Sequence, residues 1–191
     1  MVDMSDRRHH EYRDDPAGPR PLTKADLETM PDDGHRYELI DGALIVTPAP
    51  SWQRQAVTFE LAVLLRAHCP MDLQVYMAPV DVVLSDTTVM EPDVLVVRRR
   101  DRGDRDIPSV PMLAVEVLSP STRHIDLMLK RSPLEAAGCP AYWVVDPLGP
   151  TLTAWELQDG SYAEVAHVGA DGEFSASRPF PVVVRPGELV R

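Results

Sequence analysis

The sequence predicts an α/β protein, an α+β mixed sheet with flanking helices that finishes in a C-terminal β meander. Three observations predict it. Val- and Leu-rich runs at 94–97, 112–118 and 141–145, bounded by Pro and Ser, read as strands buried on both faces. The connection from Ser119 to Pro140 is long enough for a right-handed helical crossover between parallel strands. After Pro147 the pattern becomes short strands, with turns at Asp159-Gly160 and Asp171-Gly172.

Taken in order, residues 1–20 are polar, charged and broken by Pro16 and Pro19, which predicts a disordered N-terminal tail. Residues 21–191 are enough for a single domain with a sizeable core. Thr23-x-x-Asp26 resembles a capping box and predicts a short helix to Met30. Asp41-Gly42 between Arg36–Ile40 and Ala43–Thr47 signals a type I′ hairpin. From Ser51 to Ala67 the spacing of Ala56, Val57, Val63, Leu64 and Ala67 predicts a helix that packs on the sheet and carries no chemistry. His68 reads as its C-terminal residue. Leu73–Met77 and Val80–Leu84 read as strands, followed by a turn at Ser85-Asp86. A helix is expected from near Thr122. Ser132-Pro133-Leu134-Glu135, an S-x-x-E box with Pro at the first helical position, predicts that it restarts at Ser132, and Gly138 ends it. The meander comprises Thr151–Leu157, Ser161–Val168 and Phe180–Val184.

Composition narrows the function classes. There is no run of eighteen apolar residues and no secretory leader, so a cytoplasmic protein with no membrane partner is expected. Cys69 and Cys139 read as free thiols, without a zinc pattern. A net charge of −11 argues against a dedicated nucleic-acid binder, whose footprint is basic. Arg98 to Arg105 nevertheless carries five arginines against two aspartates. That run either contacts phosphates beside the site or pairs with itself in a solvated loop.

Glu116 is the most informative residue, a carboxylate in the middle of Met112–Leu118. An ionised group in such a strand is costly unless cations or donors compensate it. If the strand opened by Asp93 lies beside it, the two carboxylates converge, and close carboxylates favour a shared proton or a divalent cation. Oxygen-only ligation suits Mg2+ or Mn2+, held by Asp93 and Glu116, which could activate water at a phosphodiester. Lys130 would add a positive charge near that water or the phosphate. On spacing alone, Lys130 reads better as half of a surface ion pair with Asp126, four residues earlier on one helix face. Glu38 either joins the site or is a solvent-facing strand carboxylate.

Four ordered blocks carry a family resemblance: Tyr37-Glu38-Leu39-Ile40-Asp41-Gly42, Glu91-Pro92-Asp93-Val94-Leu95-Val96-Val97, Glu116-Val117-Leu118-Ser119-Pro120-Ser121-Thr122 and Ala141-Tyr142-Trp143-Val144-Val145-Asp146-Pro147. Together they resemble the bacterial Uma-two branch of the PD-(D/E)XK nuclease superfamily. The resemblance implies a restriction-endonuclease-like core and a metal-dependent endonuclease (a hydrolase) acting on DNA. It also implies Asp93, Glu116, Lys130 and Glu38 as catalytic residues, and the cutting of both strands of a duplex implies a homodimer. The superfamily's lysine, usually two residues after the glutamate, is replaced here by Leu118, and Lys130 occupies the migrated position on the next helix. Trp52 stands where relatives carry His, Leu134 where they carry Tyr, and Pro133 interrupts the expected helix. Two other functions compete: a catalytically degenerate binding protein that keeps the nuclease fold, and a metal-dependent hydrolase of a small phosphorylated substrate. With Lys130 in the site, Lys130→Ala is expected to slow cleavage at least about 100-fold with little loss of stability. Loss of one buried charge predicts that Glu116→Gln leaves the fold intact or firmer.

Overall fold

The computed structural model describes residues 20–119 and 129–190. The predicted tail, apart from Arg20, and the start of the crossover near Thr122, with Asp126, lie outside the described residues. Among the described residues are three α-helices, α1 (Lys24–Leu27), α2 (Trp52–His68) and α3 (Arg131–Ala136), and twelve strands. The strands are β1 (Arg36–Ile40), β2 (Ala43–Thr47), β3 (Leu73–Met77), β4 (Val82–Ser85), β5 (Thr88–Met90), β6 (Val94–Arg98), β7 (Leu113–Val117), β8 (Ala141–Asp146), β9 (Thr151–Gln158), β10 (Ser161–Val168), β11 (Phe174–Ala176) and β12 (Val182–Val184). No described helix is long and apolar enough to cross a membrane.

The expected mixed sheet is present, six strands in the order β10-β9-β8-β7-β6-β3. Only β7 and β8 run parallel, as the crossover required. All five residues of β7 and the first five of β8 are buried, which fits their near-continuous apolar sequence. One face of the sheet carries Val94, Val96, Val115, Trp143 and Val145, and joins Val57, Leu61 and Leu65 of α2 in the main core. The other face carries Ala114, Leu118, Tyr142 and Val144 with Leu134 of α3. The meander extends the sheet through β9 and β10, while β11 and β12 pair separately and cap the main core. Here the structure differs from the sequence reading: β11 was not expected, and the last strand starts at Val182 rather than Phe180.

β1, β2, β4 and β5 form a second sheet in the order β2-β1-β5-β4 instead of joining the first. Its pairing of β1 with β5 brings Glu38 beside the segment that leads into β6. The β1–β2 turn is the expected one, with φ of 51° at Asp41 and 79° at Gly42. In α1 the Asp26 carboxylate accepts from the Thr23 N–H and hydroxyl, 2.8 Å each, and the helix is a single turn that stops short of Met30.

Ser51 caps α2 by accepting from the Arg54 N–H at 3.2 Å. The packed face of α2 differs from the expected one, because Ala56, Val63 and Ala67 are exposed. Val57 is buried and Leu64 partly buried as expected, and the rest of the packed face is Arg54, Thr58, Leu61, Ala62 and Leu65. His68 ends the helix, exposed, as read. The crossover also differs, since α3 starts at Arg131 with Lys130 as its N-cap residue. Pro133 then falls in the first turn, where its missing N–H costs no helical hydrogen bond, so it breaks nothing. Glu135 does not close the expected box and instead accepts from the Tyr162 N–H of β10. Cys69 and Cys139 are free thiols.

Gly42 is hemmed in as well as left-handed, since an added Cβ would collide with Pro21. Gly42→Ala is therefore expected to lower stability by at least about 1 kcal/mol in urea unfolding, from the φ penalty and the clash together.

Candidate active site

The antiparallel pairing of β6 with β7 sets Leu95 opposite Ala114 and Val94 opposite Val115. Continued one step, this register brings Asp93, at the mouth of β6, alongside Glu116 in the middle of β7. Asp93 Oδ2 accepts from the Val117 N–H at 2.8 Å, which fixes the carboxylate against β7. Both side chains turn toward the face that carries Leu95, Ala114 and Leu118.

Glu38, Asp93 and Glu116 are 0%, 2% and 0% exposed, and three cations meet them. Lys130, 1% exposed, sets its Nζ 2.9 Å from Glu38 Oε2 and 3.3 Å from both Glu116 oxygens. Its contact with Glu38 is an ion pair whose angles are not those of a hydrogen bond. Arg54 reaches from the first turn of α2 to Asp93 Oδ2, with Nε at 3.0 Å and Nη2 at 2.7 Å. The same Nη2 lies 3.8 Å from Glu116 Oε2. Arg36, on β1, takes the other oxygen of Asp93 through Nη1 at 3.2 Å and Nη2 at 3.3 Å. It also donates to the Glu91 carbonyl at 3.1 Å and pairs with the Glu91 carboxylate at 3.3 Å. Glu38 Oε1 accepts from the Glu91 N–H at 2.7 Å, tying the second sheet to the first.

Two groups titrate away from their ordinary ranges. Burial pushes the Glu91 carboxyl up to about 7, against the pull of Arg36, with Asp81 and Glu38 adding to the rise. Burial alone would lower Arg36, but the carboxylates of Asp93, Glu116, Glu38 and Glu91 outweigh it and raise the guanidinium.

The four residues singled out in the sequence thus converge on one cluster. The surface alternatives for Glu38 and Lys130 fall away, and the stability expected of Lys130→Ala and Glu116→Gln is corrected. Glu38 is not solvent-facing. Lys130 is not on the surface but buried between two carboxylates, so neither Lys130→Ala nor Glu116→Gln should be harmless to stability; the pair with Asp126 falls outside the described residues. The arginine run after β6 stands apart from the cluster. It follows the far end of a five-residue strand, roughly 17 Å from Asp93 at about 3.3 Å per residue. Arg98 and Arg100 pair with Asp101, and Arg99 donates to the Met71 carbonyl, the self-pairing arrangement.

Arg36 and Arg54 were missed. Arg54 left a signal, because it shares a helix face with Val57, Leu61 and Leu65. A charged residue on the packed face of a helix is as anomalous as a glutamate inside a strand.

The chain matches the Uma2 family model, described as "Putative restriction endonuclease", over residues 25–186. It belongs to this family. Among solved structures, the chain is similar to a "putative nuclease belonging to DUF820" from Anabaena variabilis. The TM-score is 0.69 and the identity 16%, over 89% of this chain and 98% of that one, which shows a shared fold. No curated protein matches. The Uma2 assignment agrees with the resemblance read from the four sequence blocks.

Removing the cation from a buried ion cluster strands its carboxylates. Lys130→Met is expected to cost about 3–5 kcal/mol in urea unfolding. Adding Glu116→Gln to that variant should restore part of the loss, so the double-mutant cycle should show non-additivity.

Proposed function

We propose that the chain is a metal-dependent DNA endonuclease that hydrolyses phosphodiester bonds, with Asp93 and Glu116 as the metal ligands and Lys130 and Glu38 completing the catalytic set. The observation that carries this reading is Arg54 Nη2, a cationic group standing between Asp93 and Glu116 at 2.7 and 3.8 Å from their oxygens. Two Mg–O bonds of about 2.1 Å span about 4.2 Å, a separation the two carboxylates would reach by drawing together where Arg54 now stands. The donor set, carboxylate oxygens without thiolate or imidazole, suits Mg2+ or Mn2+. Arg54 is the side chain that would yield its place. When bound, such an ion supplies a water that ionises near neutral pH and charge stabilisation at the phosphoryl oxygens.

The remaining work falls to the chain's own groups. The Val117 N–H and Arg36 hold Asp93 from two sides, so its carboxylate would keep an anchor when Arg54 withdraws. Lys130, pinned by Glu38 and Glu116, sets its Nζ at a fixed point in a desolvated site, where an ammonium would favour the build-up of negative charge on an attacked phosphate. Glu38 positions Lys130 and, through the Glu91 N–H, the segment that carries Asp93. A two-fold homodimer would let paired sites cut both strands of a duplex. We place the protein in the cytoplasm, in keeping with its free thiols.

One observation favours a second reading, a nuclease-fold protein that binds without cutting. Both Asp93 oxygens are already engaged by arginines, so Asp93 is satisfied without a metal.

Cleavage of duplex, single-stranded and RNA substrates with Mg2+ or Mn2+ tests the proposal. Wild type should cut, and Lys130→Ala should cut at least about 100-fold more slowly once circular dichroism shows that it is folded. Metal should raise the wild-type Tm, because only the folded site binds it. Glu116→Gln should abolish that rise. A rise retained in Glu116→Gln would remove Glu116 from the site, and a metal-silent, inactive wild type would favour the binding protein.

A further inference from the structure

A cavity of about 640 Å³ opens beside the cluster, and Arg36 and Asp93 form part of its wall. Trp52, Gln55 and Phe59 line it from one face of α2, and Met77 lines it from the end of β3. Trp52 is 76% exposed and Phe59 55%. Large aromatics left in water on the lip of a cavity mark a binding surface. Here that surface runs without a break into the carboxylate cluster.

We propose that this cavity is a nucleobase subsite, and that the substrate presents an unpaired base there, as a single strand or an unpaired strand end. The choice of ligand rests on the nuclease reading above. Size, shape and chemistry agree with it. The volume lies in the range of small-ligand pockets. Trp52 and Phe59 offer π surfaces to any base. The Gln55 amide supplies both donor and acceptor for a base edge. Arg36 pairs with Asp93 on the inner wall, so the adjoining phosphate would reach the cluster past a compensated carboxylate rather than a bare one. Bases within a duplex are paired and stacked, so their faces reach such a cavity only after flipping. A chain of net charge −11 is poorly suited to the long phosphate track of duplex binding, whereas a stacked base needs few phosphate contacts. A second copy of the chain is a weaker occupant, because it would close the wall formed by Arg36 and Asp93.

The test uses the full chain in EDTA, so that binding is read without turnover. A labelled short oligothymidylate is compared with a blunt duplex of equal length. The single strand is expected to bind more tightly and to quench tryptophan emission. Trp52→Ala should weaken binding fivefold or more, and Trp52→Phe should retain most of it. Duplex binding as tight as single-strand binding would overturn the proposal, as would unchanged affinity in folded Trp52→Ala. Loss of a pre-existing dimer in Trp52→Ala without nucleic acid would also overturn it, by assigning the face to a second copy. The two readings fail separately. Trp52-dependent binding without cleavage in Mg2+ keeps the subsite and rejects the nuclease. Cleavage that is indifferent to Trp52→Ala keeps the nuclease and rejects the subsite.

Discussion

Burying three carboxylates in one place is the constraint on which the rest of the structure depends. An unpaired ionised carboxylate inside an apolar layer is prohibitively costly, so Glu38, Asp93 and Glu116 require cations that arrive at fixed points. Those cations come from separate parts of the chain: Arg36 from β1, Arg54 from the first turn of α2, and Lys130 from the entry to α3. Each must be delivered by its own element. The β6–β7 register sets the acceptor, the Ser51 cap sets where α2 begins, and the β1–β5 pairing brings the second sheet alongside. The cluster thus demands that both sheets and two helix starts be placed together.

Stability does not explain why such a cluster exists. A buried ion network commonly adds no more than apolar residues of the same volume would, although breaking it is costly. Local chemistry that departs from the surrounding apolar pattern, as Glu116 does within Leu113–Val117, is where function is expected. Arg54 sharpens the point. Its guanidinium stays charged at any working pH and binds in a planar fork, so it is a strong occupant of the space between Asp93 and Glu116. A divalent ion entering there must offset both the lost arginine contacts and its own partial dehydration. Tight metal binding in the resting state is therefore not what this arrangement provides.

The sequence made the fold and half of the cluster legible, for a definite physical reason. Strands β6, β7 and β8 are buried on both faces, so their sequences are almost wholly apolar and a single carboxylate stands out against them. The β1–β2 hairpin was legible because Asp41-Gly42 accepts positive φ at both central positions. The arginines were not, because Arg is common on helices and strands, and what distinguishes Arg36 and Arg54 is pairing across 57 and 39 residues of chain. Lys130 was placed in the site only through the family resemblance, since its spacing from Asp126 fits an ordinary surface pair as well. Ser132 misled for a related reason. The box pattern is local, but the start of α3 is set where Lys130 is drawn to the two glutamates, and Glu135 is drawn away to Tyr162.

The acidity of the whole chain and the chemistry of the cluster act over different distances. At physiological ionic strength charges are screened beyond about 8 Å, so the field that a phosphate meets inside the site is set by its immediate neighbours. There, among the described residues, three buried carboxylates face three cations, and the Glu91 carboxyl, raised to about 7 by burial, is largely protonated below that pH. The charges of the described residues at the cluster therefore nearly balance despite the net charge of −11. The surface charge acts earlier, on encounter, where like charges slow association and added salt relieves the repulsion. The sign of the net charge thus bears on the length of nucleic acid the surface can hold and on how fast it arrives, and it leaves phosphodiester chemistry at Asp93 and Glu116 open.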